Sequence, residues 1–251
     1  MPRVLFVTGS SGIAAATSRL ATASGDVVFL MGIDGQQCES LSAELKGSAY
    51  FVADVADESA VRKGVTSCID RLGSIDAAFN VAGLSARSLG DGPLHECSTA
   101  AWRKLMDVHA NGTFHVCREV VRHWIATEHP GTILNTSSIL AHFPERERFA
   151  TVAYASSKGA VESLTLSAAA YYAPHRIRLN VLAPGLVRTP MSARAQSDPQ
   201  ILEFLKHKQP LKGALIEADE IARIAHFLLG EASHPMTGEI IRVDAGWAIT
   251  G

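Results

Sequence analysis

Val4-Leu5-Phe6-Val7-Thr8-Gly9-Ser10-Ser11-Gly12-Ile13-Ala14 changes its hydrophobic period in the middle, and this change decides the fold. Residues 4–7 form a continuous apolar run, as in a parallel strand covered on both faces. Beyond the turn, Ile13, Ala16 and Leu20 recur at helical spacing. Two glycines separate strand from helix. At the carboxyl end of a first parallel strand, such a turn lets backbone approach a pyrophosphate, and the next helix offers it free N–H groups. A plain tight turn is the competing reading of the same residues.

Further strand-like runs follow at Asp26–Met31, Ser48–Val52, Ile75–Asn80, Gly131–Thr136, Arg176–Leu182 and Glu239–Val243. Helical stretches separate them, one with Ala160, Leu164, Ser167 and Ala168 on a face. Alternation of this kind predicts an α/β fold with a doubly wound parallel sheet of about seven strands and helices on both faces. No repeat or linker interrupts residues 1–251, which are read as one domain.

Composition narrows the function. Of 251 residues, 47% are hydrophobic, which excludes disorder, and 23 basic against 25 acidic residues leave a formal charge of −2. Nucleic-acid and membrane-surface proteins normally need a basic face, so neither partner is expected. No apolar run reaches the roughly 18 residues of a membrane span, and the start has no signal-peptide pattern. A cytoplasmic protein is expected. Cys38, Cys68, Cys97 and Cys117 form no C-x-x-C pair, and none of the ten histidines makes a metal-binding i, i+4 pair, so no metal site is expected. His109, near Asn111, is the histidine to watch, with a structural role as its plainer reading.

Strand ends hold the polar candidates. Asp54-Val55 follows the third run, where the carboxylate either meets an adenine amine or caps a helix. Asn80-Val81-Ala82-Gly83 follows the fourth, where small residues either admit a ribose or simply turn the chain. Tyr154 and Lys158 stand four apart, on one helix face. A nearby ammonium favours a phenolate over the neutral tyrosine. Ser137 and Ser138 end the strand before them and can offer a hydroxyl to a carbonyl. Asn111 interrupts a helical pattern beside Gly112, a local violation of the kind functional sites show.

Taken in order, these segments resemble the short-chain dehydrogenase/reductases along essentially the whole chain. The resemblance rests on Thr8-Gly9…Gly12, Asp54-Val55, Asn80–Gly83, Asn111, Asn135–Ser138, Tyr154…Lys158 and Asn180. It continues through Pro184–Met191 and Thr237–Gly246. It implies a Rossmann-type fold and a nicotinamide-dependent oxidoreductase acting on a small carbonyl or alcohol. Tyr154 would be the acid/base, Lys158 would tune it and bind the nicotinamide ribose, Ser138 would polarise the C–O group, and Asn111 would hold a water leading from Lys158. Gly9, Ser11, Gly12, Ile13, Asp34, Asp54, Val55, Asn80, Ala82, Gly83, Pro184, Gly185, Val187 and Thr189 would join Tyr154 and Lys158 in holding the cofactor. Residues 189–212 would form a substrate lid, and the chain would assemble as a homotetramer or homodimer.

The chain departs from the family pattern in three places. Its phosphate loop is one residue short between Gly9 and Gly12, and Ala14 stands at the third glycine position. Ser138 and Tyr154 are sixteen positions apart, the extra residues falling in Pro144-Glu145-Arg146-Glu147-Arg148, read as a solvated loop with local ion pairs. Gly32 replaces the aspartate that selects NAD, and Ile33 stands where an arginine favours NADP. Asp34, two residues on, either reaches the ribose or caps a helix. With no basic residue at the strand end or in the phosphate loop, NAD is the expected cofactor and NADP the second choice. A non-catalytic nucleotide-binding or sensor protein on the same fold is the alternative, favoured by the short loop and opposed by the Ser138, Tyr154, Lys158 and Asn111 set. A Rossmann-like methyltransferase would have no use for that set.

Overall fold

All seven predicted runs become parallel strands of one sheet in the computed structural model, which describes residues 2–250. In chain order the strands are β1 (Val4–Thr8), β2 (Val27–Gly32), β3 (Ala49–Val52), β4 (Ala77–Asn80), β5 (Gly131–Thr136), β6 (Ile177–Pro184), β7 (Val187–Arg188), β8 (Ile216–Glu217) and β9 (Ile240–Val243). The sheet runs β3-β2-β1-β4-β5-β6-β9. β7 and β8 pair separately as a short parallel ribbon. Two-residue strands leave no periodic pattern, and the sequence gives no sign of this ribbon.

Side chains of the central strands divide between two cores. Val4 and Phe6 of β1 point to one side, with Phe6 stacked on Phe29 at 5.5 Å between ring centroids. Helices α3 (Glu58–Leu72), α5 (Gly112–Thr127) and α6 (Val152–Tyr172) cover that side. Leu5 and Val7 point to the other, beneath α1 (Gly12–Ala23), α2 (Gly35–Glu44) and α9 (Ala218–Leu229). Burial on both faces explains why the runs read as continuous rather than alternating. Each large apolar side chain so buried contributes about 1.5–3 kcal/mol.

Helix α4 (Thr99–Leu105) passes into α5 through a π-helical turn at Met106–Asn111. The lid stretch folds as α7 (Ala193–Ser197) and α8 (Pro199–Lys208). Pro199 begins α8, where its missing N–H leaves no bond unmade, and Asp198 caps the turn through Gln200 N at 2.9 Å. Ile201 and Leu205 of α8 pack on Ile139, Leu215 and Trp247 in a third, smaller core.

Strands β2 and β4 lie on opposite sides of β1, so the chain changes winding direction between β1 and β4. A crevice therefore opens at the carboxyl ends of these strands, and open α/β sheets bind ligands in such crevices.

Candidate active site

The turn after β1 is built to expose backbone donors. Gly9 and Gly12 adopt φ of +98° and +53°, values that L side chains avoid. Gly9 N–H donates to Met31 O at 2.7 Å, which ties the turn to β2. Thr8 Oγ1 accepts from Val81 and Ala82 N–H at 3.0 and 3.1 Å, joining the ends of β1 and β4. Ser11 begins α1 in extended conformation without a side-chain cap bond. The first N–H groups of α1 consequently face the crevice, an arrangement that attracts anions.

A cavity of about 710 Å³ runs from this turn to the far end of the crevice. Gly9, Ser11, Gly12 and Ile13 line one end; Ala82 and Gly83 line its flank; Pro184, Gly185, Val187 and Thr189 line the side opposite. Ser138, Tyr154 and Lys158 line the same cavity. These thirteen predicted positions share one space.

Five others do not. Asn80 is buried within the sheet, its Nδ2 donating to Asn135 Oδ1 at 2.8 Å, so its side chain joins β4 to β5 and not to a ribose. Asp54 folds back on its own turn, accepting Ala56 N–H at 2.9 Å, while its other oxygen lies 3.6 Å from Lys104 Nζ. The cap of α3 is Asp57. Val55 is buried against α5, its carbonyl bonded to His115 Nδ1 at 3.0 Å. Asp34 is exposed and caps α2 through Gln37 N–H at 3.0 Å.

Asn111 is the fifth and most consequential correction. It is exposed at the end of the π turn, its Nδ2 donating to Asp107 Oδ1 at 3.1 Å. The residue this turn sends inward is His109. His109 Nε2 accepts Leu84 N–H at 3.0 Å, which requires Nδ1 to carry the proton shared with Ser157 Oγ at 2.9 Å. Ser157 Oγ in turn donates to Tyr154 O at 2.7 Å. The imidazole meets the Tyr154 ring edge-on at 5.3 Å. Burial, reinforced by the Lys158 charge, holds its pKa well below the usual histidine value, so it is neutral. His109 braces the cavity wall to α6.

The start of α6 is set from a distance. Asp91 is buried and accepts Ala153 and Tyr154 N–H at 3.0 and 3.2 Å, and it also bonds Thr151 Oγ1. This carboxylate at the helix N-terminus fixes where Tyr154 begins its turn. Lys158 follows one turn later, its Nζ donating to Thr136 O at 2.9 Å and lying 5.8 Å from the Tyr154 ring centre. Burial alone lowers the Lys158 pKa to about 8. Burial also raises that of Tyr154, and the facing Ser138 hydroxyl opposes the rise. Burial therefore outweighs the Ser138 hydroxyl, and the tyrosine holds its proton. Ser138 Oγ accepts Leu140 N–H at 3.2 Å and turns its own proton toward the Tyr154 hydroxyl. Ser137 points the other way, donating to the buried Glu162 at 2.6 Å, and Glu162 also bonds His142.

A second cavity of about 460 Å³ lies beside the turn, between α1 and α2. Gly32 is bare because a Cβ there would stand 2.8 Å from Cys38 Sγ, which leaves no room for an aspartate. Arg19 lines this cavity, contrary to the expectation that no cation is in reach, but it is paired with Glu44 at 2.8 Å.

Residues 7–248 match the family model described as enoyl-(acyl carrier protein) reductase. A 2,5-dichloro-2,5-cyclohexadiene-1,4-diol dehydrogenase of Sphingobium indicum is 35% identical over 97% of this chain and 96% of its own. A cis-4-hydroxycyclohexanecarboxylate dehydrogenase of Sinomonas cyclohexanicum is 32% identical, covering 98% of this chain and 96% of its own. Among solved structures, a gluconate 5-dehydrogenase of Burkholderia cenocepacia in complex with NADP and tartrate superposes with a TM-score of 0.90. It is 29% identical over 99% of this chain and 96% of its own.

Proposed function

The chain belongs to the short-chain dehydrogenase/reductase family, and from that premise we propose that it interconverts a secondary alcohol and its carbonyl through Ser138, Tyr154 and Lys158. The observation that carries this reading is the convergence of those three side chains on the cavity that begins at the phosphate turn.

The residues present fit a dinucleotide. The open first turn of α1 and the bare Gly9 and Gly12 suit a pyrophosphate, with Ser11 and Ile13 supplying neighbouring backbone. Ala82 and Gly83 would lie along the ribose, Lys158 would hold the nicotinamide ribose, and Pro184, Gly185, Val187 and Thr189 would hold the carboxamide. When bound, the nicotinamide supplies or accepts the hydride. In the reductive direction Ser138 donates its O–H as a hydrogen bond to the carbonyl oxygen lying between it and Tyr154. Tyr154, kept neutral by burial, then transfers its own proton to that oxygen. The ammonium of Lys158, aimed by Thr136 O, stabilises the phenolate left behind. Oxidation runs these proton steps backwards. Asn111 has no part in this scheme; His109 acts by positioning Tyr154. Residues 189–212 serve as a lid over a single domain spanning 1–251.

NAD(H) is the proposed cofactor. Among the described residues a 2′-phosphate at the end of β2 would meet only Arg19 on the cavity wall, and Arg19 is paired with Glu44. Desolvating that dianion without a partner costs more than forgoing a ribose hydrogen bond. The ring alcohols named for the relatives make cyclic secondary alcohols and ketones the first substrates to assay. We expect turnover with NAD(H) at a kcat/KM at least tenfold, about 1.4 kcal/mol, above that with NADP(H). A ratio favouring NADP(H) would show Arg19 leaving Glu44 for the phosphate, and no turnover with either would overturn the assignment.

Assembly as a homodimer or homotetramer is supported by Leu166 and Tyr171, two large side chains that α6 leaves exposed. Light scattering at micromolar concentration should give a mass of at least twice 26.7 kDa.

A further inference from the structure

The far half of the large cavity carries an unbalanced charge. Among the described residues its wall holds Arg87, Lys158 and Arg194 and no carboxylate. Lys158 is engaged beneath Tyr154, but the two arginines are not. They come from distant segments, Arg87 from the 3₁₀ turn after β4 and Arg194 from α7, yet both donate to a single atom. Arg87 Nη2 reaches Arg148 O at 2.8 Å and Arg194 Nη2 reaches it at 3.0 Å.

Arg87 Nη2 also meets Ala150 O at 3.3 Å, and carbonyls satisfy donors without neutralising either charge. Arg87 forms no ion pair among the described residues, and Arg194 has only a loose contact with Asp198 at 3.9 Å. The nearby carboxylates are committed elsewhere. Asp91 caps α6, and Glu145 accepts three backbone N–H groups of its own loop. Burial and then the like charge of Arg194 weaken the hold of Arg87 on its proton, and the charges of Asp91 and Glu145 offset this only in part. Two guanidiniums held together, one with only the 3.9 Å contact to Asp198 and the other with no direct carboxylate partner among the described residues, form a site for an anion. Apolar surface lies beside them. Phe149 and Trp247 line the same cavity, their ring centres 5.8 Å apart, and the Arg194 guanidinium lies 5.6 Å from the Phe149 ring. The loop at Pro144–Arg148 does more than its local ion pairs require, because its backbone aligns both arginines.

We propose that Arg87 and Arg194 form a carboxylate subsite, and that the substrate is a hydroxy or oxo acid whose hydrocarbon body lies on Phe149 and Trp247. The identity of the reacting group rests on the oxidoreductase reading; the anion subsite does not. A carboxylate offers two edges for two guanidiniums and supplies the charge the wall lacks.

The test separates the two claims. Calorimetry on the cofactor-saturated protein compares cyclohexanecarboxylate with cyclohexanecarboxamide, and a parallel assay measures turnover of cyclic alcohols and ketones. The wild type should bind the carboxylate at least about tenfold more tightly, the scale of a charged hydrogen bond. Arg87→Gln with Arg194→Gln should reduce that preference to about threefold or less. Should the double variant not fold, Arg194→Gln alone must lose most of the preference. Equal binding of the two probes by the wild type, or a preference that survives the substitutions, overturns the subsite. Carboxylate preference without any turnover leaves the subsite standing and overturns the oxidoreductase reading. Turnover without the preference does the reverse.

Discussion

Tyr154→Phe should lower kcat by roughly 10³-fold, the range that a single positioned acid or base contributes, while changing cofactor Kd by less than about threefold. The substitution removes one oxygen and little volume. The ring keeps its edge contact with His109 at 5.3 Å and stays near Lys158 Nζ, so the wall of the cavity survives. What disappears is the proton that burial keeps on the hydroxyl, together with its interaction with Ser138. Single-turnover measurements with a cyclic ketone would report the chemical step, and quenching of Trp247, which lines the cavity, would report cofactor binding. A variant retaining a tenth of the wild-type rate at saturating substrate would remove Tyr154 from the mechanism. A variant that lost cofactor affinity in step with rate would make the hydroxyl a binding group instead.

Several of these features are legible in the sequence for an identifiable reason. Strands buried on both faces must be apolar throughout, so β1, β2, β4, β5 and β6 stand out as runs, and the turn after β1 stands out because only glycine takes its conformations. Direction of a side chain is harder to read. Asn80, Asp54 and Asp34 occupy strand ends as expected, but each carboxylate or amide satisfies its own neighbourhood first, in a sheet ladder, an Asx turn or a helix cap. At Asn111 the sequence marks the right segment through its poor helical propensity. The π turn there changes which residue faces inward, and His109 takes the buried place. Contacts made across the fold leave no local trace at all. Asp91 sets the start of α6 from sixty residues away, and Arg87 meets Arg194 only because the Arg148 carbonyl lies between them.

Lys158 makes the second large prediction, in stability rather than rate. Its pKa is about 8 in the folded protein against 10.5 for the free side chain, and the cause is burial. Between those values the unfolded chain binds the proton and the folded chain does not, so stability must rise with pH. Below pH 8 both states are protonated and folding bears the full cost of burying an ammonium, about 3.4 kcal/mol for a shift of this size. Relief begins near pH 8. Between pH 7 and 9 the lysine alone should contribute a gain of about 1.4 kcal/mol. The buried thiols Cys68 and Cys117 oppose it, since burial raises their pKa values and their contribution falls as pH climbs past 9. Lys158→Met keeps the length of the chain, removes the charge and leaves the thiols alone, so the difference between the two proteins isolates the lysine. At pH 7 the variant should be the more stable, by less than the full cost because Thr136 O loses its donor. That advantage should shrink by about 1.4 kcal/mol by pH 9 in urea unfolding at matched m-values. A difference that stays constant across the range would mean the ammonium is not desolvated in the folded protein. Loss of carbonyl reduction in the same variant, and in the wild type as pH rises through about 8, would then tie the destabilising charge to the step that needs it.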